Sequence, residues 1–204
     1  MKLYSYKTAP NVRKIMIYLK EKGVDVPFEI VEIDLMKGEQ NNPEFKAINA
    51  LGKVPVLELD DGTYITESLP IIEYFEELYP VNPLIGDTPQ DRAKIRSIER
   101  YIDMEVMGTM GIMAQNMMPL YADRFNQSPI VVQYGRGRQA MALDHLNNFI
   151  GDRSYVYGDK ATLADITLFV TLESAFMVDA QIDPKYENIV RCYETFSKHP
   201  SVTM

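Results

Sequence analysis

Cysteine is nearly missing from this sequence: Cys192 is the only one. A lone thiol forms neither an internal disulfide nor a cysteine metal cluster, and it fits a reducing cytosol, so a cytoplasmic protein is expected. Histidine is almost as scarce. His145 and His199 stand far apart with no HExxH-type spacing, so no metal site is expected. No apolar stretch approaches the roughly 18 residues that mark a membrane helix, and no membrane span is expected. The N-terminal MKLYSY leads directly into a strand pattern, with neither an apolar signal core nor a small-residue cleavage site, so no export signal is expected. Basic residues are in deficit: 21 Lys and Arg against 29 Asp and Glu give a formal net charge of -8. That balance argues against general nucleic-acid binding, which needs a positive surface. An anionic ligand would need a site that is locally positive against this background.

What is present is an ordinary globular composition, 46% hydrophobic and 25% charged, in 204 residues that suit one large domain or two small ones. Residues 2–6 read as a strand and 11–22 as a helix, with Val12, Ile15, Met16 and Leu19 on its apolar face and Gly23 as its stop. Residues 27–34 alternate like a strand, and 37–49 are polar with a short helical piece around Phe45. Strands at 54–59 and 63–66 flank Asp60-Asp61-Gly62, a hairpin signal, and 68–78 reads as an amphipathic helix. The order β-α-β-α-β-β-α implies a mixed sheet with helices on both faces. Residues 79–89 hold three prolines and a glycine and read as a connection.

Beyond that connection the strand signals vanish. Helices are expected at 90–118, 128–150, 162–178 and 186–198. The expected organisation is therefore a mixed α/β domain over 1–80, a linker over 81–88 and an all-α domain over 89–204. Thr162-Leu-Ala-Asp165 reads as a capping box, a folding device in which the threonine and the acid satisfy each other's orphan amides. Arg92, Arg96 and Arg100 lie four apart, and their neighbours Asp91, Glu99 and Asp103 point to ordinary surface ion pairs.

The stretch GKVPVLELDDGTYITESLP holds a proline near the head of a strand. If the Val54-Pro55 bond is cis, the backbone N–H and C=O of Val54 turn away from the sheet and become available to an extended peptide. A trans proline at a strand start is the alternative, and cis bonds are only about 5–6% of X–Pro bonds. Glu67-Ser68 then opens a helix whose free N–H groups and dipole favour a carboxylate, while Glu67 attracts an ammonium. Together they read as a receptor for an amino-acid head group; the competing interpretation is that Ser68 caps its own helix.

These residues carry a resemblance. GKVPVLELDDGTYITESLPIIEYFEELYP resembles the end of the thioredoxin-like domain of the cytosolic glutathione transferase superfamily, where a G-x-V-P strand, an acidic-Gly hairpin and an E-S-x-x-I helix start recur together. KIMIYLKEKG is similar to the first helix, GEQNNPEFKAIN to the loop and second helix, and TLADITL to the capping box of the sixth helix, so the likeness covers nearly the whole chain. It implies glutathione as co-substrate, no metal, a homodimer, and a helical domain supplying a pocket for a small hydrophobic electrophile. It also implies that Val54 pairs with the cysteinyl backbone of glutathione, with Pro55 cis. Glu67 and Ser68 would hold the γ-glutamyl end, and Lys53 and Gln40 would reach the glycine carboxylate. Asn41 stands where a lysine is often found.

The chemistry requires a thiol of ordinary pKa about 8.5 to ionise near neutral pH. Ala9 stands at one position where the family places a hydroxyl or thiol. Thr8, Asn11 and Tyr6 remain as candidates for the group that meets the sulfur; Cys192 reads as a core residue. Met104, Met107, Met110, Met113, Met117 and Met118 crowd one helix. Met104, Met107 and Tyr121 are candidates for the acceptor pocket, and inter-helix core or a dimer seam is the alternative for the methionines. The resemblance implies a transferase, with peroxidase or disulfide reductase activity also open. A non-catalytic glutathione-binding or protein-interaction module of the same fold is the competing interpretation.

Overall fold

The computed structural model describes residues 1–203; Met204, the last residue of the expected helical domain, lies outside the described residues. The chain divides into two compact units, Met1–Leu84 and Ile85–Thr203.

The first unit is built on four strands, β1 (Lys2–Ser5), β2 (Glu29–Glu32), β3 (Val56–Glu58) and β4 (Tyr64–Thr66), in the order β2-β1-β3-β4. β1 pairs with β2 in parallel and with β3 antiparallel, and β3 pairs antiparallel with β4. Three helices join them: α1 (Pro10–Lys22), α2 (Pro43–Ile48) and α3 (Ser68–Leu78). The Tyr4 ring meets Phe45 of α2, with centroids 6.0 Å apart. By strand alternation the fully buried Leu3 points to the opposite face. α1 and α3 pack on each other, and Ile15, Tyr18, Ile71, Ile72 and Phe75 are fully buried. This is the mixed sheet of a thioredoxin-like fold.

Two strands depart from the sequence expectation. The strand expected over 54–59 starts its ladder only at Val56, because Val54 and Pro55 lie outside the pairing. β2 alternates in sequence but is mostly exposed, Ile30 included, because it is an edge strand.

The second unit is all-helical: α4 (Pro89–Tyr101), α5 (Thr109–Met117), α6 (Pro129–Ile150), α7 (Leu163–Ser174) and α8 (Glu187–Phe196). The single helix expected over 90–118 is interrupted by a π-helical segment, Ile102–Gly108. Its physical reason lies in the spacing of the core residues. Ile98, Ile102, Val106 and Met110 are all buried and follow one another at intervals of four. At 3.6 residues per turn such a series drifts round the helix, and the wider i→i+5 turn brings it back to the core side. The methionines divide accordingly: Met110 and Met113 are core, Met107 is half-buried and Met104 is exposed. α5 and α6 cross closely at Gly135, where an added Cβ would lie 2.6 Å from Met113 Cγ.

α7 is apolar around most of its circumference and buried along most of its length, as suits a central helix. It begins with the expected capping box between Thr162 and Asp165. One of the acids expected at the surface is not there. Arg100 does pair with Asp103 at 3.0 Å, but Glu99 is buried against α7, where its carboxylate accepts the Thr167 hydroxyl at 3.0 Å. Position 99 faces inward because it lies one residue from core Ile98 on the side that α7 covers.

Candidate functional site

The candidate site lies at one end of the sheet, where the ladders run out. The β3–β4 register ends with Val56 opposite Thr66, two residues along the chain from Val54 and from Ser68. The β1–β3 register ends at the same level, with Tyr4 opposite Val56, two residues from Tyr6. The Val54-Pro55 bond is cis. No backbone hydrogen bond holds Val54 to the described residues, so its N–H and C=O are open to an extended ligand strand.

Two helix N-termini converge on this end, and neither has a side-chain cap. In α1 the Val12 and Arg13 amides both bond to Ala9 O at 3.0 Å, and Pro10 has no N–H. The Asn11 amide is therefore the open donor of that first turn. In α3 Ile71 N–H bonds to Glu67 O at 3.3 Å, leaving Ser68 and Leu69 as open donors. The two helix starts are tied together by side chains: the Ser68 hydroxyl donates to Asn11 Oδ1 at 3.1 Å. Ser68 is 7% exposed, so this contact is largely shielded from water. The positive ends of two helix dipoles thus supply the locally favourable field that an anionic ligand needs within an acidic protein.

Glu67 occupies the position before α3 with φ 69° and ψ 139°, a left-handed backbone that a residue with a side chain rarely adopts. Such an outlier costs on the order of 1–3 kcal/mol and persists where the surroundings fix it, commonly at a binding site. Its carboxylate is exposed and makes no capping bond, so it is available to an ammonium.

The remaining candidates are distributed unevenly. Lys53 is exposed beside Val54, as an anion contact requires. Gln40 turns inward: it is 8% exposed, its side-chain N–H donates to Leu35 O at 3.4 Å, and its Oε1 is buried without a partner among the described residues. Gly52 sits against the same residue with φ 58°, and a Cβ there would lie 2.7 Å from the Gln40 carbonyl oxygen. Thr8 is exposed in the turn before α1, and Tyr6 is half-buried with its carbonyl accepting the Ala9 N–H at 2.8 Å. Tyr4, one residue pair earlier on β1, donates its hydroxyl to Glu58 at 2.6 Å. Burial, and then that carboxylate, push the Tyr4 phenol well above its ordinary range, which leaves it a committed donor.

Asn49 escaped the sequence reading. It is buried, donates to Lys53 O at 2.8 Å and accepts Leu51 N–H at 3.1 Å. It therefore fixes the loop that delivers Lys53 and Val54. An asparagine two residues before the open N–H it accepts is an Asx-turn signal, and that local pattern could have identified it.

Comparison with known proteins identifies the family of the chain. The sequence model described as Glutathione S-transferase, N-terminal domain matches residues 3–83, and the one described as Glutathione S-transferase, C-terminal domain matches residues 109–200. Glutathione S-transferase 2 of Saccharomyces cerevisiae is 31% identical over 212 residues, covering 99% of this chain and 88% of the relative. The chain belongs to the glutathione S-transferase family. Solved structures agree: a glutathione S-transferase domain-containing protein of Marinobacter aquaeolei is similar with a TM-score of 0.92 at 29% identity, covering 100% of both chains. A glutathione S-transferase of Methylobacillus flagellatus, solved with GSH bound, is similar with a TM-score of 0.83 at 25% identity, covering 98% of this chain and 96% of that one.

For a glutathione S-transferase the inert cysteine matters. Cys192 is buried in the core of the helical unit, and burial pushes its thiol up to about 12. At neutral pH it is a thiol, so it supplies no nucleophile of its own. The acceptor candidates all lie in the second unit. Met104 is exposed and Met107 half-buried on the π segment, and Tyr121 ends the turn Pro119–Tyr121, its ring edge-on to Phe125 at 6.1 Å. Among the described residues no cluster of His, Cys, Asp or Glu has the makings of a metal site.

Proposed function

We propose that this glutathione transferase binds the tripeptide along the open end of its N-terminal sheet and holds the sulfur as a thiolate at the start of α1. The observation that carries this reading is the convergence, within Met1–Leu84, of two uncapped helix N-termini with the unpaired backbone of Val54. Val54 offers an N–H and a C=O to the cysteinyl residue in the antiparallel manner. The α3 N-terminus takes the γ-glutamyl carboxylate, Glu67 the ammonium, and Lys53 the glycine carboxylate, with Gln40 shaping the loop behind it. We assign the sulfur contact to Asn11, because its backbone N–H and its side-chain amide sit in one helical turn; Thr8 and Tyr6 remain the alternatives. Fixed donors and a positive dipole end favour the charged form of a thiol and so lower its pKa. The thiolate then attacks a small hydrophobic electrophile; within the second unit, Met104, Met107 and Tyr121 are the candidates to hold that acceptor. Glutathione is held reduced in the cytosol, which favours the cytoplasm as the place of reaction and removal of electrophiles as its purpose.

The test is direct. Wild-type protein is expected to bind reduced glutathione in calorimetry and to conjugate it to 1-chloro-2,4-dinitrobenzene. Glu67→Ala is expected to weaken binding roughly tenfold or more, the scale of one charge-assisted hydrogen bond lost. Binding without any turnover would favour the non-catalytic module, and unaltered affinity in Glu67→Ala would overturn the head-group assignment.

The same proposal includes a homodimer. α6 carries Ile130, Tyr134 and Met141 on one side at the helical period, with 78%, 66% and 66% of their surfaces exposed in the single chain. Exposed apolar residues in such a series mark a protein interface. Tyr134→Glu is expected to convert a dimer to monomer in sedimentation velocity, and a wild-type monomer would remove the claim.

A further inference from the structure

The hydroxyl of Ser68 has one proton, and the acceptor beside it assigns that proton a partner. It is donated to Asn11 Oδ1 at 3.1 Å, not held out to the open end of the sheet. An asparagine amide has two unlike ends, an oxygen that accepts and an NH₂ that donates. Anchoring the oxygen at α3 leaves the NH₂ as the end that α1 presents elsewhere. A thiolate accepts hydrogen bonds and is repelled by an acceptor, so the polarity of this one amide decides whether Asn11 helps or hinders ionisation.

We propose that Ser68 is a positioning residue, whose side chain orients the Asn11 carboxamide toward the glutathione sulfur while its backbone N–H serves the γ-glutamyl carboxylate. This rests on the reading of the site given above and divides the labour within it. Three observations support the division. The Ser68 hydroxyl is already occupied and 93% of the residue is shielded, since 7% is exposed. The α3 start has two open backbone donors, Ser68 and Leu69, so a carboxylate there has partners without the hydroxyl. Ala9, the residue before α1, has no side-chain donor, so the Asn11 carboxamide is the polar side chain that the first turn of α1 offers beside the open Asn11 N–H.

The experiment measures two quantities on the same proteins: affinity for reduced glutathione by calorimetry, and ionisation of the bound thiol by the ultraviolet absorbance of the thiolate against pH. In Ser68→Ala the apparent pKa of the bound thiol is expected to rise toward its free value of about 8.5, because the amide is released to turn its oxygen outward. Affinity is expected to change less than about fivefold, the scale of one neutral hydrogen bond. Ser68→Thr keeps the hydroxyl and is expected to restore the wild-type titration. In an Asn11→Ala background, Ser68→Ala is expected to leave the titration where Asn11→Ala alone puts it, because a residue that acts through another has nothing left to act on. Two results overturn the proposal: a large loss of affinity in Ser68→Ala with an unchanged thiol titration, which assigns the hydroxyl to the carboxylate, or additive effects of the two substitutions. Failure of wild-type protein to bind glutathione at all is a separate outcome and overturns the underlying site reading.

Discussion

Glu76→Ala is expected to destabilise the N-terminal unit by about 3–5 kcal/mol, the cost of leaving a buried charge without its partner. Glu76 on α3 is 5% exposed, and its carboxylate receives Lys22 Nζ at 2.9 Å and the Tyr18 hydroxyl. Tyr18 and Lys22 are four residues apart on α1, so both reach α3 from one helix face. The Lys22 side chain is fully buried; it also donates to the Asn82 carbonyl at 3.3 Å and lies 5.8 Å from the centroid of the Tyr18 ring. Removing Glu76 strands an ammonium and a phenol in the interior together. Burial, followed by the Glu76 contact, holds the Tyr18 phenol far above its ordinary range, so it remains a donor at any working pH. Glu76→Gln keeps an acceptor of the same shape and is expected to cost less than Glu76→Ala. Replacing all three groups with Glu76→Leu, Lys22→Met and Tyr18→Phe is expected to recover much of the loss, since apolar contacts avoid the desolvation of both charges. The chain has no tryptophan, so urea unfolding followed by far-ultraviolet circular dichroism is the suitable measurement. A loss for Glu76→Ala below about 1 kcal/mol, the scale of an exposed pair, would show that water reaches Lys22.

The same cluster shows what a sequence yields and what it withholds. Features written in a few adjacent residues are legible: the Asp60-Asp61-Gly62 hairpin, the Thr162–Asp165 capping box, Gly23 ending α1, the Val54-Pro55 bend and the helix start at Glu67-Ser68. Each is a local conformational preference, and local preferences travel with the sequence. Contacts that depend on topology were not legible. Glu76 meets a lysine and a tyrosine more than fifty residues away, with separations of 54 and 58. Nothing in the sequence around Glu99 distinguishes it from the exposed acids beside it, although Thr167 buries its carboxylate at a separation of 68. Half of the candidate site falls on each side of this division. The backbone groups of Val54 and the α3 start could be read from local motifs, whereas the link between Ser68 and Asn11 exists only because the sheet brings two helix starts together. The left-handed backbone at Glu67 was hidden for another reason: a residue that adopts it against its own preference leaves no sequence signal at all.

Asp165→Ala is expected to destabilise the helical unit by about 3–5 kcal/mol near pH 4, and by less at neutral pH. The carboxylate accepts Val156 N–H at 2.7 Å, Thr162 N–H at 2.9 Å and the Thr162 hydroxyl at 2.8 Å, all buried. Alanine leaves two buried amides without partners, each costing about 1–3 kcal/mol. The pH dependence follows from a competition at the same atoms. These hydrogen bonds favour the ionised form, but desolvation is the larger influence and raises the pKa from the ordinary 3.8 to about 6. The folded state therefore holds a proton that the unfolded state releases between about pH 4 and pH 6. Where the folded state binds more protons, stability falls as pH rises, and a displacement of about two units corresponds to about 3 kcal/mol across that window. Alanine cannot titrate, so the gap between wild type and Asp165→Ala should narrow from pH 4 to pH 6 and stay constant above it. Comparing urea unfolding of both proteins at several pH values cancels every other titrating group. A gap that widens with pH would mean that the three hydrogen bonds outweigh desolvation and that this aspartate is ionised throughout the range in which the protein folds.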